Sequence, residues 1–225
     1  MEGSDQATRD STAPPLGAVI FDYGGVLRGD SRDDWDAADA VAGLPRGACW
    51  SAWHDIPEYR LSREGAIDGD VFRVAIHRAL TSIAGDTARA ETALAALEAR
   101  LAGLPPVDAG MRALVDRLRA GKRVKLSLLS NANRGATGRF RARGITALFD
   151  DVVVSADVGL AKPDPAIFRL AAERLGVEPA ACLMVDDQGQ HLVGAAALGM
   201  RTHLYAANGL AILVARLEAE GIVER

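Results

Sequence analysis

Five short apolar runs constrain this chain more than any other feature. They read AVIF (18–21), VKLSLLS (124–130), DVVVS (151–155), CLMV (182–185) and THLY (202–205). Each is continuous rather than alternating, the pattern of parallel strands covered on both faces by crossover helices. Apolar residues recur at helical spacing between and after the later runs: Met111, Leu114, Val115 and Leu118; Ile167, Leu170, Ala171 and Leu175; Leu210, Leu213, Val214 and Leu217. Strand and helix therefore alternate from about residue 106 to the end. That order predicts an α/β fold with a doubly wound, Rossmann-like parallel sheet.

One region interrupts the alternation. Residues 30–105 offer no strand; Phe72, Ile76, Ala79, Leu80 and Ile83 make one helical stripe, and Leu94, Leu97, Leu101 and Leu104 make another. All three tryptophans, Trp35, Trp50 and Trp53, lie here. The organisation expected is a disordered tail (1–15), a core formed by 16–29 and 106–225, and an all-helical insert (30–105) ended by Pro105 and Pro106.

Composition narrows the class of partner. Of 225 residues, 49 % are hydrophobic and the net charge is -4, so the chain can bury a real core and offers no general attraction to nucleic acid or an acidic membrane. No apolar run reaches the roughly 18–20 residues of a membrane span. The N-terminus has no apolar signal core. Cys49 and Cys182 form no metal or redox pair, which suits a reducing cytoplasm. A monomer or homodimer is expected.

The residues just past the strands carry the chemistry. In an open parallel sheet, ligands bind at the carboxyl ends of the strands. Here those ends lead to Asp22, to Ser130-Asn131, through ADVGLAKPDP to Lys162, and to Asp186-Asp187. Singly, each has an ordinary use: a turn acid, a helix cap near Asn133, a surface lysine, a cap for the helix containing Leu192. Together they crowd three carboxylates, which repel one another unless a cation lies between them. An all-oxygen donor set with few protein ligands suits Mg²⁺, which also binds substrate phosphate. A lysine and a hydroxyl beside it are anchors for phosphoryl oxygens. The set reads as magnesium-dependent phosphoryl transfer with a carboxylate nucleophile.

This ordered set resembles the haloacid dehalogenase superfamily over about residues 17–205. VIFDYGGVL resembles its first motif, LLSNA its second, GLAKPDPAIF its third and MVDDQGQHLVGAAALGM its fourth. The insert sits where subfamily I places an α-helical cap. The resemblance implies that Asp22 is the nucleophile and forms an aspartyl intermediate. It implies that Mg²⁺ is held by Asp22, the backbone carbonyl of Gly24 and Asp187, with Asp186 holding a metal-bound water. Ser130, the Asn131 amide and Lys162 would hold the transferring group, and Lys162 would offset the negative charge.

Two positions depart from the usual pattern. Most phosphatases of the superfamily carry a second Asp two residues after the nucleophile, where this chain has Gly24. The wording is closer to a minority branch, FDxGGVL or FDxGNVI, which includes sugar-phosphate phosphatases and domains attached to epoxide hydrolases or acyl-CoA dehydrogenases. A backbone carbonyl can still hold metal, but a general acid is lost, which is worth about 10²–10⁴-fold in rate. Asp30, Asp33 and Asp34 are candidate replacements, against their reading as a solvated helix start. His191 stands where many relatives have Asn and is expected to pack or cap locally. The function expected is a phosphatase of a small phosphorylated metabolite. The alternatives are a 2-haloacid dehalogenase and a weakly active binding domain. Trp35, Trp50, Trp53, His54 and Tyr59 either line the substrate pocket or pack the insert.

Overall fold

In the computed structural model the described residues are 14–29, 32–103, 106–206 and 209–224. Most of the expected tail, with Asp30, Leu104 and Pro105, lies outside them. Five parallel strands form one sheet in the order β3-β2-β1-β4-β5. They are β1 (Ala18–Phe21), β2 (Lys125–Ser130), β3 (Asp151–Val154), β4 (Cys182–Asp186) and β5 (Arg201–Leu204). Only β1 keeps both expected ends: β2 begins one residue later than expected and β4 runs one residue further, through Asp186. Ser155 opens a helix instead of closing β3, and β5 begins and ends one residue earlier than expected.

Eleven helices accompany the strands among the described residues. Five fall in the insert that follows β1: α1 (Arg32–Val41), α2 (Ala48–His54), α3 (Pro57–Arg63), α4 (Gly69–Ala84) and α5 (Thr87–Gly103). The rest are α6 (Ala109–Gly121), α7 (Ala136–Ala142), α8 (Ser155–Val158), α9 (Pro165–Leu175), α10 (Gly189–Ala196) and α11 (Gly209–Ala219). None of the described helices is long and apolar enough to cross a membrane.

The continuous apolar strands do what their pattern requires, feeding two cores at once. Along β1, Val19 and Phe21 pack on one face with Met111, Leu114 and Leu118 of α6 and Leu213 and Leu217 of α11. Ala18 and Ile20 pack on the other with Ile167 and Phe168 of α9 and Leu192 and Ala195 of α10. Helices α1, α2, α4 and α5 enclose a third core around Trp35, Phe72, Leu80, Leu94 and Leu97. Fully burying each such side chain contributes about 1.5–3 kcal/mol. The expected α4 stripe is only partly inward, since Ile83, in its last turn, is exposed.

Chain order places β1 between β2 and β4, at the point where the winding reverses. Such a switch point opens a crevice beyond the strand ends. The register sets what meets there. Phe21 pairs with Val185 across β1 and β4, so Asp22 and Asp186 come level on neighbouring strands.

Candidate active site

Three carboxylates and one ammonium meet at the end of β1. Lys162 Nζ donates to Asp22 Oδ1 at 2.7 Å and to Asp186 Oδ2 at 2.6 Å, with its side chain wholly shielded from solvent. Asp22, Asp186 and Asp187 each bring a carboxylate oxygen within 4.8 Å of the other two. Asp22 is itself anchored, its backbone N–H donating to Val185 O.

Local sequence explains how Lys162 arrives. Asp164 caps α9 by accepting from Ala166 N, and Pro165 occupies the first helical turn, so the chain must leave its loop directly after Lys162. Asn131 clamps that loop. Its side-chain nitrogen donates to Lys162 O, and its side-chain oxygen accepts from Lys162 N, both at 2.9 Å. The helix after β2 begins only at Ala136, with Gly135 before it, so Ser130 and Asn131 do not cap it. Beneath the loop, Gly194 lies so close that a Cβ there would sit 1.9 Å from Pro163 O.

Asp186 carries a different load from Asp187. Its Oδ1 accepts from Gln188 N at 2.8 Å, and His191 Nδ1 lies 3.1 Å and 3.2 Å from its two oxygens. His191 is thus a buried partner of Asp186, while Gly25, with φ +73°, packs on Asp187. A Cβ at Gly25 would lie 2.5 Å from Asp187 Oδ2, so the second glycine of the first motif leaves room for that carboxylate.

The charges are unevenly held. Desolvation pushes the Asp22 acid up to about 7; Asp186 and Asp187 add to this, and Lys162 opposes it. Desolvation also works against Asp186, but Lys162 and His191 outweigh it and hold that acid down at about 2. Burial works against charge on Lys162 as well, yet the two carboxylates raise its affinity for its proton. Burial first, and then the excess of negative charge left by one ammonium among three carboxylates, make Asp22 favour a proton. A divalent cation bound through oxygen would supply what the cluster lacks, so the residues fit Mg²⁺.

A cavity of about 800 Å³ opens over this cluster, a size suited to a small ligand. Asp22, Gly24, Ser130, Asn131 and Asp187 form its floor. Its roof includes Trp35, Trp50, Trp53, His54 and Tyr59. The two expected fates of these aromatics coincide, because they also pack together. Trp35 meets Trp50 and Trp53 edge-on at 5.2 Å and 5.5 Å, and Trp50 stacks on His54 at 3.8 Å.

Asp33 and Asp34 do not join the cavity wall. Asp33 faces Arg46 at 3.8 Å and Asp34 faces Arg100 at 3.2 Å, which removes both as replacements for the missing acid. Sequence reasoning missed Arg63, which lines the cavity. No motif or helical stripe of the sequence singled it out, and in the structure it ends α3, where cations are ordinary.

Similarity to known proteins agrees with this geometry. A phosphatase of Mycobacterium tuberculosis, MT3486, is 30% identical over 208 residues, covering 86% of this chain and 89% of that protein. A HAD family enzyme of Bacteroides thetaiotaomicron, solved with magnesium and inorganic phosphate, superposes with a TM-score of 0.57 at 20% identity, covering 85% of this chain and 95% of the other. A dehalogenase solved as an intermediate complex gives a TM-score of 0.63 at 25% identity, covering 83% of each chain. Residues 16–199 match the sequence model of the haloacid dehalogenase-like hydrolases. That span holds every strand end in the cluster, and the chain belongs to the haloacid dehalogenase-like hydrolase family.

Proposed function

We propose that the chain is a Mg²⁺-dependent phosphatase of a small phosphorylated metabolite, acting through a phosphoryl intermediate on Asp22. The observation that carries this reading is the Asp22–Lys162–Asp186 arrangement beside Asp187, in which a nucleophile and a cation share one buried site. Bound through Asp22, Asp187 and the carbonyl of Gly24, with Asp186 close by, Mg²⁺ would neutralise carboxylate charge and polarise the phosphoryl group.

The chain's own residues divide the remaining work. Lys162 favours the ionised form of Asp22, orients it, and stabilises the charge that develops on the phosphoryl oxygens. Asp22 attacks phosphorus, the bond to the ester oxygen breaks, and that oxygen takes a proton from water, since Gly24 offers no acid. Water then attacks phosphorus, releasing phosphate and restoring Asp22. Ser130 contributes a hydroxyl to the phosphoryl oxygens. Asn131 acts chiefly through Lys162, because its side-chain amide is committed to that residue's backbone. The helical insert serves as a cap that covers the site and excludes water.

A 2-haloacid dehalogenase is the second reading, favoured by Gly24, because halide departs without a proton. The three-carboxylate cluster weighs against it, since halide displacement has no need of a metal. The test is phosphate release across a metabolite panel with Mg²⁺, beside Asp22→Asn. Turnover lost in the variant and in chelator is expected. Halide release from 2-chloropropionate, with no phosphate release, would install the second reading. Silence in both assays, with tight metabolite binding, would make the chain a binding domain.

A further inference from the structure

Arg63 ends α3 and is one of the few buried charges outside the cluster, with 7% of its surface exposed. Its guanidinium lies over the Tyr59 ring at 4.6 Å and the Phe72 ring at 5.1 Å. Its Nε is buried with no hydrogen-bond partner, and Nη1 reaches only the Ser62 hydroxyl, at a long 3.4 Å. The other polar groups that act on it include the Tyr59 hydroxyl, which favours its charge through a hydrogen bond, and Arg139 and His54, which do not. No carboxylate among the described residues pairs with it. Burial works against its charge, but a guanidinium does not surrender its proton in proteins.

The fold holds this cation over the catalytic edge. Two residues on, Gly65 has φ +71° and approaches α8 so closely that a Cβ would meet Ala156 O at 2.4 Å. Arg134 donates through Nε and Nη2 to Gly65 O at 2.8 Å and 2.5 Å. Since α8 directly follows β3, the turn after Arg63 is docked at the carboxyl ends of the strands. Arg63 and Asp22 consequently line the same cavity.

A buried cation without a counter-charge is costly, and an anionic ligand group in the shared cavity would supply what this one lacks. We propose that Arg63 binds a second anionic group on the substrate, a carboxylate or a further phosphate, remote from the ester transferred to Asp22. This rests on the phosphatase reading. The planar guanidinium suits either group through paired hydrogen bonds. The stacked aromatic beneath it restricts its rotamers and orients that fork.

The experiment compares kcat/KM for four probes with Mg²⁺: p-nitrophenyl phosphate and glycerol 1-phosphate, which have no second anion, 3-phosphoglycerate, which has a carboxylate, and fructose 1,6-bisphosphate, which has a phosphate. The parent is expected to prefer one of the two-anion probes, and which one identifies the group. In Arg63→Met the ratio of that probe to glycerol 1-phosphate should fall roughly 10- to 100-fold, mostly through KM. Arg63→Lys, which keeps the charge but not the fork, should fall between. Without substrate, Arg63→Met should melt about 2–4 °C higher, because an unpaired buried charge is gone. A lower melting temperature would mark Arg63 as structural and overturn the proposal. So would an unchanged ratio with p-nitrophenyl phosphate still hydrolysed, leaving the phosphatase reading intact. No turnover of any probe would overturn both.

Discussion

Replacing Lys162 by Met tests whether the cluster is held together by one ammonium. The parent has two hydrogen-bonded ion pairs at 2.7 Å and 2.6 Å, on a side chain with no solvent exposure. Removing one member of a buried network strands the others without a counter-charge, at a cost of about 3–5 kcal/mol. Two charge-assisted bonds of roughly 1.5–3 kcal/mol each give a loss of the same size. Met fills the stem's volume, so a cavity adds little. The assay is urea unfolding in chelator at a pH well above 7, where Asp22 is ionised in the parent. Asp22→Asn placed on the Lys162→Met background should recover part of the loss, since one stranded charge becomes a neutral amide. The double-mutant cycle should return a coupling of about 1–3 kcal/mol. A cost under about 1 kcal/mol, or a coupling near zero, would refute the claim that Lys162 and Asp22 stabilise one another.

The same geometry makes two other properties predictable. Because burial and its acidic neighbours raise Asp22 from 3.8 to about 7, the metal-free fold binds a proton there that the unfolded chain does not. The stabilising contribution of this proton is complete below pH 3.8 and is lost as pH rises through 7. In chelator, Asp22→Asn should therefore gain on the parent by about 1.4 kcal/mol per pH unit between pH 5 and 7. Contributions common to both chains, such as that of His54, which burial lowers to about 4, cancel in the comparison. Mg²⁺ should abolish that gain, and a difference that is flat in chelator would contradict the assignment. Separately, Gly194→Ala places a methyl 1.9 Å from Pro163 O and 2.8 Å from the Phe168 ring, so α10 must shift. A loss of about 1–3 kcal/mol or more, with reduced turnover because Lys162 rides on that loop, is expected in denaturation and phosphate-release assays. Retention of both properties would show that the contact is not tight.

The sheet was readable because its strands are buried on both faces, and such strands are written as unbroken apolar words. AVIF and β1 coincide to the residue. Asp186 was less visible as a strand residue, since a charge ends the apolar word although β4 runs through it. Asp22, Lys162, Asp186 and Asp187 were legible as members of one group because strand ends of an open sheet share an edge. What each touches was not. Asn131 as a clamp on the Lys162 backbone and His191 as a partner of Asp186 depend on side-chain geometry that spacing along the chain does not encode. Arg63 shows the limit most clearly. No motif or helical stripe in the sequence marks it, and the turn after it is placed by Gly65 packing onto Ala156, a contact between the insert and α8.

The most direct test of the central claim is a single turnover of p-nitrophenyl phosphate with Mg²⁺ in heavy-oxygen water, quenched in acid. Mass analysis then tracks both the peptide containing Asp22 and the released phosphate. A phosphoryl adduct on Asp22 before product release, and heavy oxygen in phosphate with none in the Asp22 carboxylate, is the predicted result. Phosphate release with no adduct at Asp22, or with undiminished rate in Asp22→Asn, would contradict it.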